Sequence, residues 1–201
     1  MLPKFMTHAA PGFDDPIGLL KACHLRIDQR CALLLRVIEH IGKQGVDQQV
    51  KQACTQVLHY FNTSAQQHHA DEEEDLFPAL LRSVTPPQRK RMQALIDTLT
   101  ADHVEMKKTW EALRANLEAI LADKVQTLDA ELVDRFQTLY LEHIQREEHD
   151  AFAAASNYLS PAELERIGQA MAARRGVAYP DADTIVTQTA ESAAPRAESR
   201  R

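Results

Sequence analysis

Four stretches of this 201-residue chain place apolar residues at alternating spacings of three and four. This spacing is typical of a helix that buries one stripe of its surface inside a bundle. The first stripe follows Asp15-Pro16, an N-cap residue and a first-turn proline that predict a helix start. The four stripes cover residues 17–41, 50–72, 92–120 and 132–151. Because the links between them are short, the sequence predicts an all-α, antiparallel, up-down-up-down four-helix bundle.

The composition agrees with this prediction and excludes several classes of function. Glycine occurs only 6 times, and 44% of the residues are hydrophobic, which is enough for a core. Lys and Arg number 23 against 29 Asp and Glu, and the basic residues are dispersed, so we expect no nucleic-acid partner. No window approaches the roughly 18 apolar residues of a membrane span. We therefore expect no membrane partner either.

The cysteines and the N-terminus indicate a cellular compartment. The sequence has an odd number of cysteines, namely Cys23, Cys31 and Cys54, and they lack a CxxC spacing. This pattern is typical of buried thiols in a reducing environment. The first residues lack the continuous apolar stretch of a signal peptide. We therefore expect a soluble, cytoplasmic protein.

The chain is predicted to have four regions. Residues 1–14 form an N-terminal lead-in and residues 15–158 form the bundle. Residues 159–176 form a short fifth, capping helix, because Ser160 and Glu163 make a capping box and Gly176 is suited to end a helix. Residues 177–201 are small, polar and without pattern, which predicts a disordered tail.

Each apolar stripe contains one histidine at a position where the pattern calls for an apolar residue: His24, His68, His103 and His143. A single histidine of this kind is most often a hydrogen-bonded core residue. Counted from the predicted turns, however, the four lie at heights that agree within about one helical turn. The sequence therefore predicts that four imidazoles meet at one level of the core.

Two of these histidines are followed by a glutamate on the same helical face. Glu72 lies four residues after His68, and Glu147 lies four residues after His143. A buried carboxylate without a partner would cost several kcal/mol, but a cation among the imidazoles would remove that cost. Imidazole and carboxylate together suit Fe, Zn or Mn. Six such ligands are too many for one tetrahedral zinc, so we predict a pair of metal ions, two irons bridged by both glutamates.

The local sequence resembles a known family. Residues 68–78, HHADEEEDLFP, resemble the HxxxEExxLFP motif of the hemerythrin-like (HHE cation-binding) proteins, and residues 143–152 are a degenerate second copy. With His24 before and His103 between, the order and spacing match that family over about residues 16–155. The resemblance implies an oxo- or hydroxo-bridged di-iron centre that binds O2, NO or peroxide. The implied metal ligands are His24, His68, Glu72, His103, His143 and Glu147.

One departure from the family narrows the expected function. Oxygen-carrying hemerythrins have a further histidine four residues after the third-helix histidine, and here that position is Lys107. The set is more similar to the bacterial and regulatory branch, which is linked to iron sensing, to NO or peroxide handling and to iron–sulfur repair. Two alternatives stay open: an iron store or donor without turnover, and a regulatory or interaction bundle whose metal is structural. The sequence leaves open whether the protein is an enzyme, and whether it is a monomer or a homodimer.

Some neighbours of the predicted ligands compete with them for the site. His69 and Glu73 repeat the same spacing one residue out of phase, and we predict that they point about 100° away from the stripe. The glutamates after Glu72 are interpreted as a solvated face. Three other residues have a possible role but are more simply flanking or core residues: Asp28, Lys107 and Tyr140.

Overall fold

The computed structural model describes residues 11–180, and that part of the chain is helical without strands. Two segments have the wider turns of a π-helix and are named π1 and π2. The elements in chain order are α1 (Pro16–Gln44), α2 (Gln48–Asn62), α3 (Ser64–Ala70), π1 (Asp71–Leu76), α4 (Phe77–Ser83), α5 (Pro86–Leu121), α6 (Ala130–Arg146), π2 (Glu147–Phe152), α7 (Ala153–Tyr158) and α8 (Pro161–Arg174).

These elements build four long rods and one short helix. The first and third rods are α1 and α5. The second runs from α2 through π1 to α4, and the fourth runs from α6 through π2 to α7. The first and third rods each pack against both the second and the fourth, which closes the ring of a bundle. The predicted all-α four-helix bundle with a short fifth helix is confirmed.

The predicted helix starts are made by side-chain caps. The Asp15 side chain accepts a hydrogen bond from the backbone N–H of Gly18 at the start of α1. Ser160 and Glu163 form the predicted capping box at the start of α8. Each cap satisfies backbone donors that the first turn of a helix leaves free.

The second rod differs from the prediction in two details. Its predicted stripe ends at residue 72, but the rod continues through Pro78 to Ser83. In π1 the Phe77 N–H bonds to the Glu72 carbonyl, five residues back, and this wider turn lets Pro78 follow within a continuous rod. The rod is also interrupted at Thr63, where φ is −130° and ψ is −81°; nothing in the sequence indicated that break.

The core consists of two apolar clusters with polar residues between them. One cluster includes Ile27, Phe61 and Phe136, and the other includes Leu20 and Phe152. Between them lies a buried polar layer, whose members are His24, His68, Glu72, His103, His143 and Glu147. The bundle therefore encloses its predicted ligands from both ends.

Helix α8 is fixed to π1 by a buried ion pair. Asp71 is fully buried and precedes Glu72. Arg175 donates to both oxygens of the Asp71 carboxylate, at 3.0 and 2.6 Å, and Arg174 donates to it at 2.5 Å. Bidentate pairs of this kind are strong and directional. The short fifth helix thus anchors the segment that carries Glu72.

Parts of two predicted regions lie outside the described residues, namely 1–10 and 181–201. The lead-in and the disordered tail stay predictions there, as do the exact region boundaries. Within residues 11–180, none of the helices has both the length and the apolar character that a membrane crossing requires.

Gly168 is the position where α8 approaches the chain before α1 most closely. A Cβ at Gly168 would lie 1.9 Å from the Phe13 carbonyl oxygen, whereas a Cβ at Gly42 in α1 would meet nothing within 4 Å. We expect Gly168→Ala to lower the free energy of unfolding by about 2 kcal/mol. The control Gly42→Ala should raise it by about 0.5–1 kcal/mol. Chemical denaturation measures both, and equal effects at the two glycines would contradict this packing.

Candidate metal centre

The structure brings all six predicted ligands together, although they come from four different rods. Each is at most 5% exposed. Their ligand atoms form two clusters, within each of which the atoms lie within 4.8 Å of one another. The first cluster is His24, His68, Glu72 and Glu147, and the second is Glu72, His103 and His143.

The distances within the clusters are those of ligands around a cation. His68 Nε2 lies 2.9 Å from Glu72 Oε1, and His24 Nε2 lies 3.1 Å from Glu147 Oε2. In the second cluster, His103 Nε2 lies 3.3 Å from Glu72 Oε2 and 3.1 Å from His143 Nε2. Two ligands about 2.1 Å from one metal lie about 3.0 Å apart at octahedral angles and about 3.4 Å apart at tetrahedral angles.

The carboxylates of the polar layer lack hydrogen-bond partners. Both oxygens of Glu72 and of Glu147 are shielded from solvent, and within residues 11–180 none is in hydrogen-bonding geometry. His24 Nε2 is in the same condition despite its proximity to Glu147. Unpaired carboxylates are costly to bury. Cations between the side chains would satisfy these atoms, so the donor set fits metal ions.

The two glutamates are placed differently. Glu72 belongs to both clusters, with one oxygen toward His68 and the other toward His103. Glu147 belongs to the first cluster, and its Oε2 lies 3.8 Å from Nε2 of His143 in the second. Glu72 is therefore the carboxylate that the two clusters share. The sequence predicted bridging by both glutamates, and for Glu147 the separation from the second cluster is larger.

Carboxylates behind the clusters orient two of the histidines. His24 Nδ1 donates to Glu148 at 2.7 Å, and His103 Nδ1 donates to Glu73 at 2.6 Å. Metal-ligating histidines commonly donate their other ring N–H to a carboxylate, which fixes the tautomer and the ring orientation. This leaves Nε2 of both rings free to face the polar layer.

The other two histidines have different neighbours. His143 Nδ1 lies 3.4 Å from Asp102, whose carboxylate also accepts from Arg146 at 2.5 Å. Cys23 is a neighbour of His68. Burial raises the pKa of the Cys23 thiol, but its interactions with His68 and Arg26 outweigh burial and lower that pKa.

Glu73 is exposed, as its interpretation as part of a solvated face predicted, but it has a second role that this interpretation did not indicate. Glu73 is 41% exposed, but it accepts the hydrogen bond of His103. Glu148 makes the equivalent contact with His24. A usable signal was present in the sequence, because the Glu-Glu pair at residues 72–73 of the first motif copy recurs at residues 147–148 of the second.

His69 was predicted to point about 100° away from the stripe, yet its ring lies against one of the predicted ligands. Its ring stacks on His103 with centroids 4.0 Å apart and planes 9° from parallel. Its Nε2 is shielded from solvent and has no hydrogen-bond partner among the described residues. The orientation of π1 and α3 thus brings His69 beside the second cluster, although neither cluster includes it.

A cleft of about 450 Å³ opens beside the second cluster, and we call it the His103 cleft. His69 and Tyr140 line it together with His103, and the exposed Lys107 lies at its edge. Asp28, by contrast, is exposed on α1, and it is Glu148 that bonds His24. The remaining residues that line the His103 cleft are Phe61, Ala65, Gln66, Ala70, Glu73, Glu74, Val104, Met106 and Trp110.

Burial and mutual contact shift the pKa values of the polar layer apart. Burial opposes ionisation of Glu72, but His68 and His103 outweigh it and hold the Glu72 pKa well below its usual range. Burial and the nearby Glu72 raise the pKa of Glu147 to about 6. Burial disfavours charge on His103, yet Glu72 and Glu73 raise its pKa to about 9. Burial and His103 lower the pKa of His143 to about 3.

Comparison with known proteins agrees with this geometry. The sequence model of the Hemerythrin HHE cation binding domain matches residues 15–155. The chain belongs to the hemerythrin HHE family. It is also 36% identical over 165 residues to an uncharacterized protein of Haemophilus influenzae, covering 82% of this chain and 92% of that protein.

The family and the buried His and Glu groups together make this a metal-binding, hemerythrin-like protein. The individual ligand assignments stay predictions, supported by the two clusters. So does the identity of the metal.

The carboxylates behind the histidines should tune metal affinity without contacting the metal. We expect Glu73→Gln and Glu148→Gln each to weaken metal binding by about tenfold or more, because the imidazole loses its charged acceptor. Glu142 on α6 is exposed and serves for the matched control Glu142→Gln. Competition with a chromophoric chelator measures the affinities. An unchanged affinity in both variants would remove these carboxylates from the site.

Metal binding should release protons. In the metal-free protein His68 has a pKa raised well above its usual value, because contacts with Glu72 and Cys23 outweigh burial, and the pKa of His103 is about 9. His103 is therefore protonated at pH 7 and must lose its proton to bind a cation, and the raised pKa of His68 favours a further release. Affinity should rise with pH until both are neutral. Calorimetry in buffers of different ionisation enthalpy measures the number, and zero release would contradict these assignments.

Proposed function

We propose that this protein binds a non-haem di-iron centre at the two clusters and that the centre reacts with or senses O2, NO or peroxide. His24, His68, Glu72 and Glu147 would hold one iron. Glu72, His103 and His143 would hold the other. The observation that carries the proposal is the shared carboxylate of Glu72, whose two oxygens lie toward histidines of different clusters. When bound, the iron pair supplies redox chemistry and open positions for a small ligand.

The chemistry of the donors supports iron. Imidazole nitrogens with carboxylate oxygens suit Fe, Mn and Zn. The clusters share a carboxylate, which favours a bridged pair over two independent tetrahedral zinc sites. The four imidazoles and two carboxylates leave coordination positions for a ligand at a six-coordinate pair.

The His103 cleft favours ligand binding over the two alternatives. A metal that only stabilises the bundle needs no access from solvent, yet His103 of the second cluster lines the cleft. An iron store would release iron readily to chelators while the bundle stays folded. A structural metal would leave only with unfolding.

The cellular setting is part of the proposal. Cys23, Cys31 and Cys54 are all buried free thiols, which supports a reducing compartment such as the cytoplasm. The oligomeric state, monomer or homodimer, stays a prediction.

Iron content and absorption of the purified chain, loaded anaerobically with Fe(II), test the proposal. We expect a pair of irons per chain and an oxo-to-iron charge-transfer band after oxidation that changes with NO, peroxide or azide. Glu72→Ala should lose iron at both positions, whereas Glu147→Ala should lose it mainly at the first. Glu142→Ala is the control and should retain both. Full iron content in Glu72→Ala, or none in the wild type, would refute the di-iron assignment.

A further inference from the structure

The two metal positions differ in their access to solvent. At the first, four side chains supply ligands, each at most 2% exposed, and the Phe152 ring stacks on His24 with centroids 5.4 Å apart. At the second, three side chains within residues 11–180 supply ligands, and His103 lines the cleft. Fewer protein donors leave more open coordination positions. A ligand that enters from solvent therefore has its route and its binding position on the same side, through the His103 cleft.

His69 is a polar side chain of this cleft that belongs to neither cluster. His69 lines the cleft and is held against His103 by face-to-face stacking. Its Nε2 is shielded from solvent and lacks a hydrogen-bond partner within the described chain. An orphaned buried nitrogen is unfavourable, and its retention in a folded protein needs an explanation. A ligand bound in the cleft would provide the missing partner.

Two of the other polar groups that line the cleft are already engaged. Glu73 accepts from His103, and Glu74 accepts from Arg174 at 2.7 Å. The Tyr140 ring lies 6.1 Å from the His69 ring on the buried side, and Lys107 is exposed at the edge. His69 is thus a cleft-lining imidazole that stacks on His103 and whose Nε2 has no hydrogen-bond partner among the described residues.

We propose that His69 hydrogen-bonds a small oxygen- or nitrogen-containing ligand that enters through the His103 cleft and binds at the second metal position. An imidazole can donate to a terminal oxygen or nitrogen of the ligand, or accept the proton of a hydroperoxide. His69 is then a ligand-contacting residue and holds no metal itself. This inference rests on the proposed di-iron function, and it identifies which face of the site the ligand uses.

The test compares the iron-loaded wild type with His69→Phe, which keeps an aromatic ring to stack on His103 but removes both nitrogens. Azide is the probe, and its dissociation constant is read from the absorption of the oxidised protein. We expect iron content to be unchanged and the azide dissociation constant to rise about tenfold, the effect of one lost hydrogen bond. His69→Gln restores a donor at this position and should recover most of the affinity. His59→Phe, on the exposed face of α2, is the matched control and should change neither quantity.

A second readout does not depend on iron. Because Nε2 of His69 has no hydrogen-bond partner to lose among residues 11–180, the melting temperature of metal-free His69→Phe should equal or exceed that of the metal-free wild type.

The possible failures can be told apart. Iron lost in His69→Phe would make His69 a metal ligand and overturn the inference. Unchanged azide affinity, or a markedly lower melting temperature of the metal-free variant, would overturn it as well. A wild type that binds no iron would instead refute the proposed function, and this inference with it.

Discussion

The structure depends on the burial of two carboxylates in the middle of an apolar core. Glu72 and Glu147 are fully buried, and neither has a hydrogen-bond partner among the described residues. An apolar pair at these positions would let the two core clusters join, and the bundle would gain packing. Without cations, contacts inside the layer change proton affinities instead: the pKa of His103 rises to about 9 and that of Glu147 to about 6. Cations would take the place of these protons and balance the buried carboxylates. A polar layer that is unfavourable for stability is therefore consistent with metal binding.

The π-turns solve a geometric problem that this layer creates. An α-helix brings residues i and i+4 to one face, which suits His68 with Glu72. A π-turn accommodates one more residue, so Glu73, at i+5, also returns toward the site and reaches His103 on another rod. The second motif copy repeats this arrangement with Glu148 and His24, although it has no proline after its π-turn. Both copies therefore share the ligand layer, and the first π-turn merely makes room for Pro78.

These turns also explain which parts of the site could be predicted from the sequence. The bundle and its six buried ligand candidates follow from a stripe of period 3.6, because a buried position must recur on one face. The same periodicity placed His69 and Glu73 about 100° away from the stripe, but Glu73, in π1, bonds His103, and His69, in α3, stacks on it. The pairing of Arg175 with Asp71 depends on a contact between the end of the fifth helix and the second rod. Such contacts join residues about a hundred positions apart, and no local pattern encodes them.

The two halves of the site share a repeated motif but have unequal surroundings. The first cluster has four donors beneath Phe152, whereas the second has three donors beside a cleft. Acceptors behind the histidines differ as well, with Asp102 near His143 and Cys23 near His68. A symmetric pair would expose both cations equally or enclose both. Here one position is enclosed and the other is open, so the enclosed cation would hold the shared Glu72 in place while the open one meets the ligand. The repeat thus supplies the scaffold, and the differences between its halves decide where chemistry can occur.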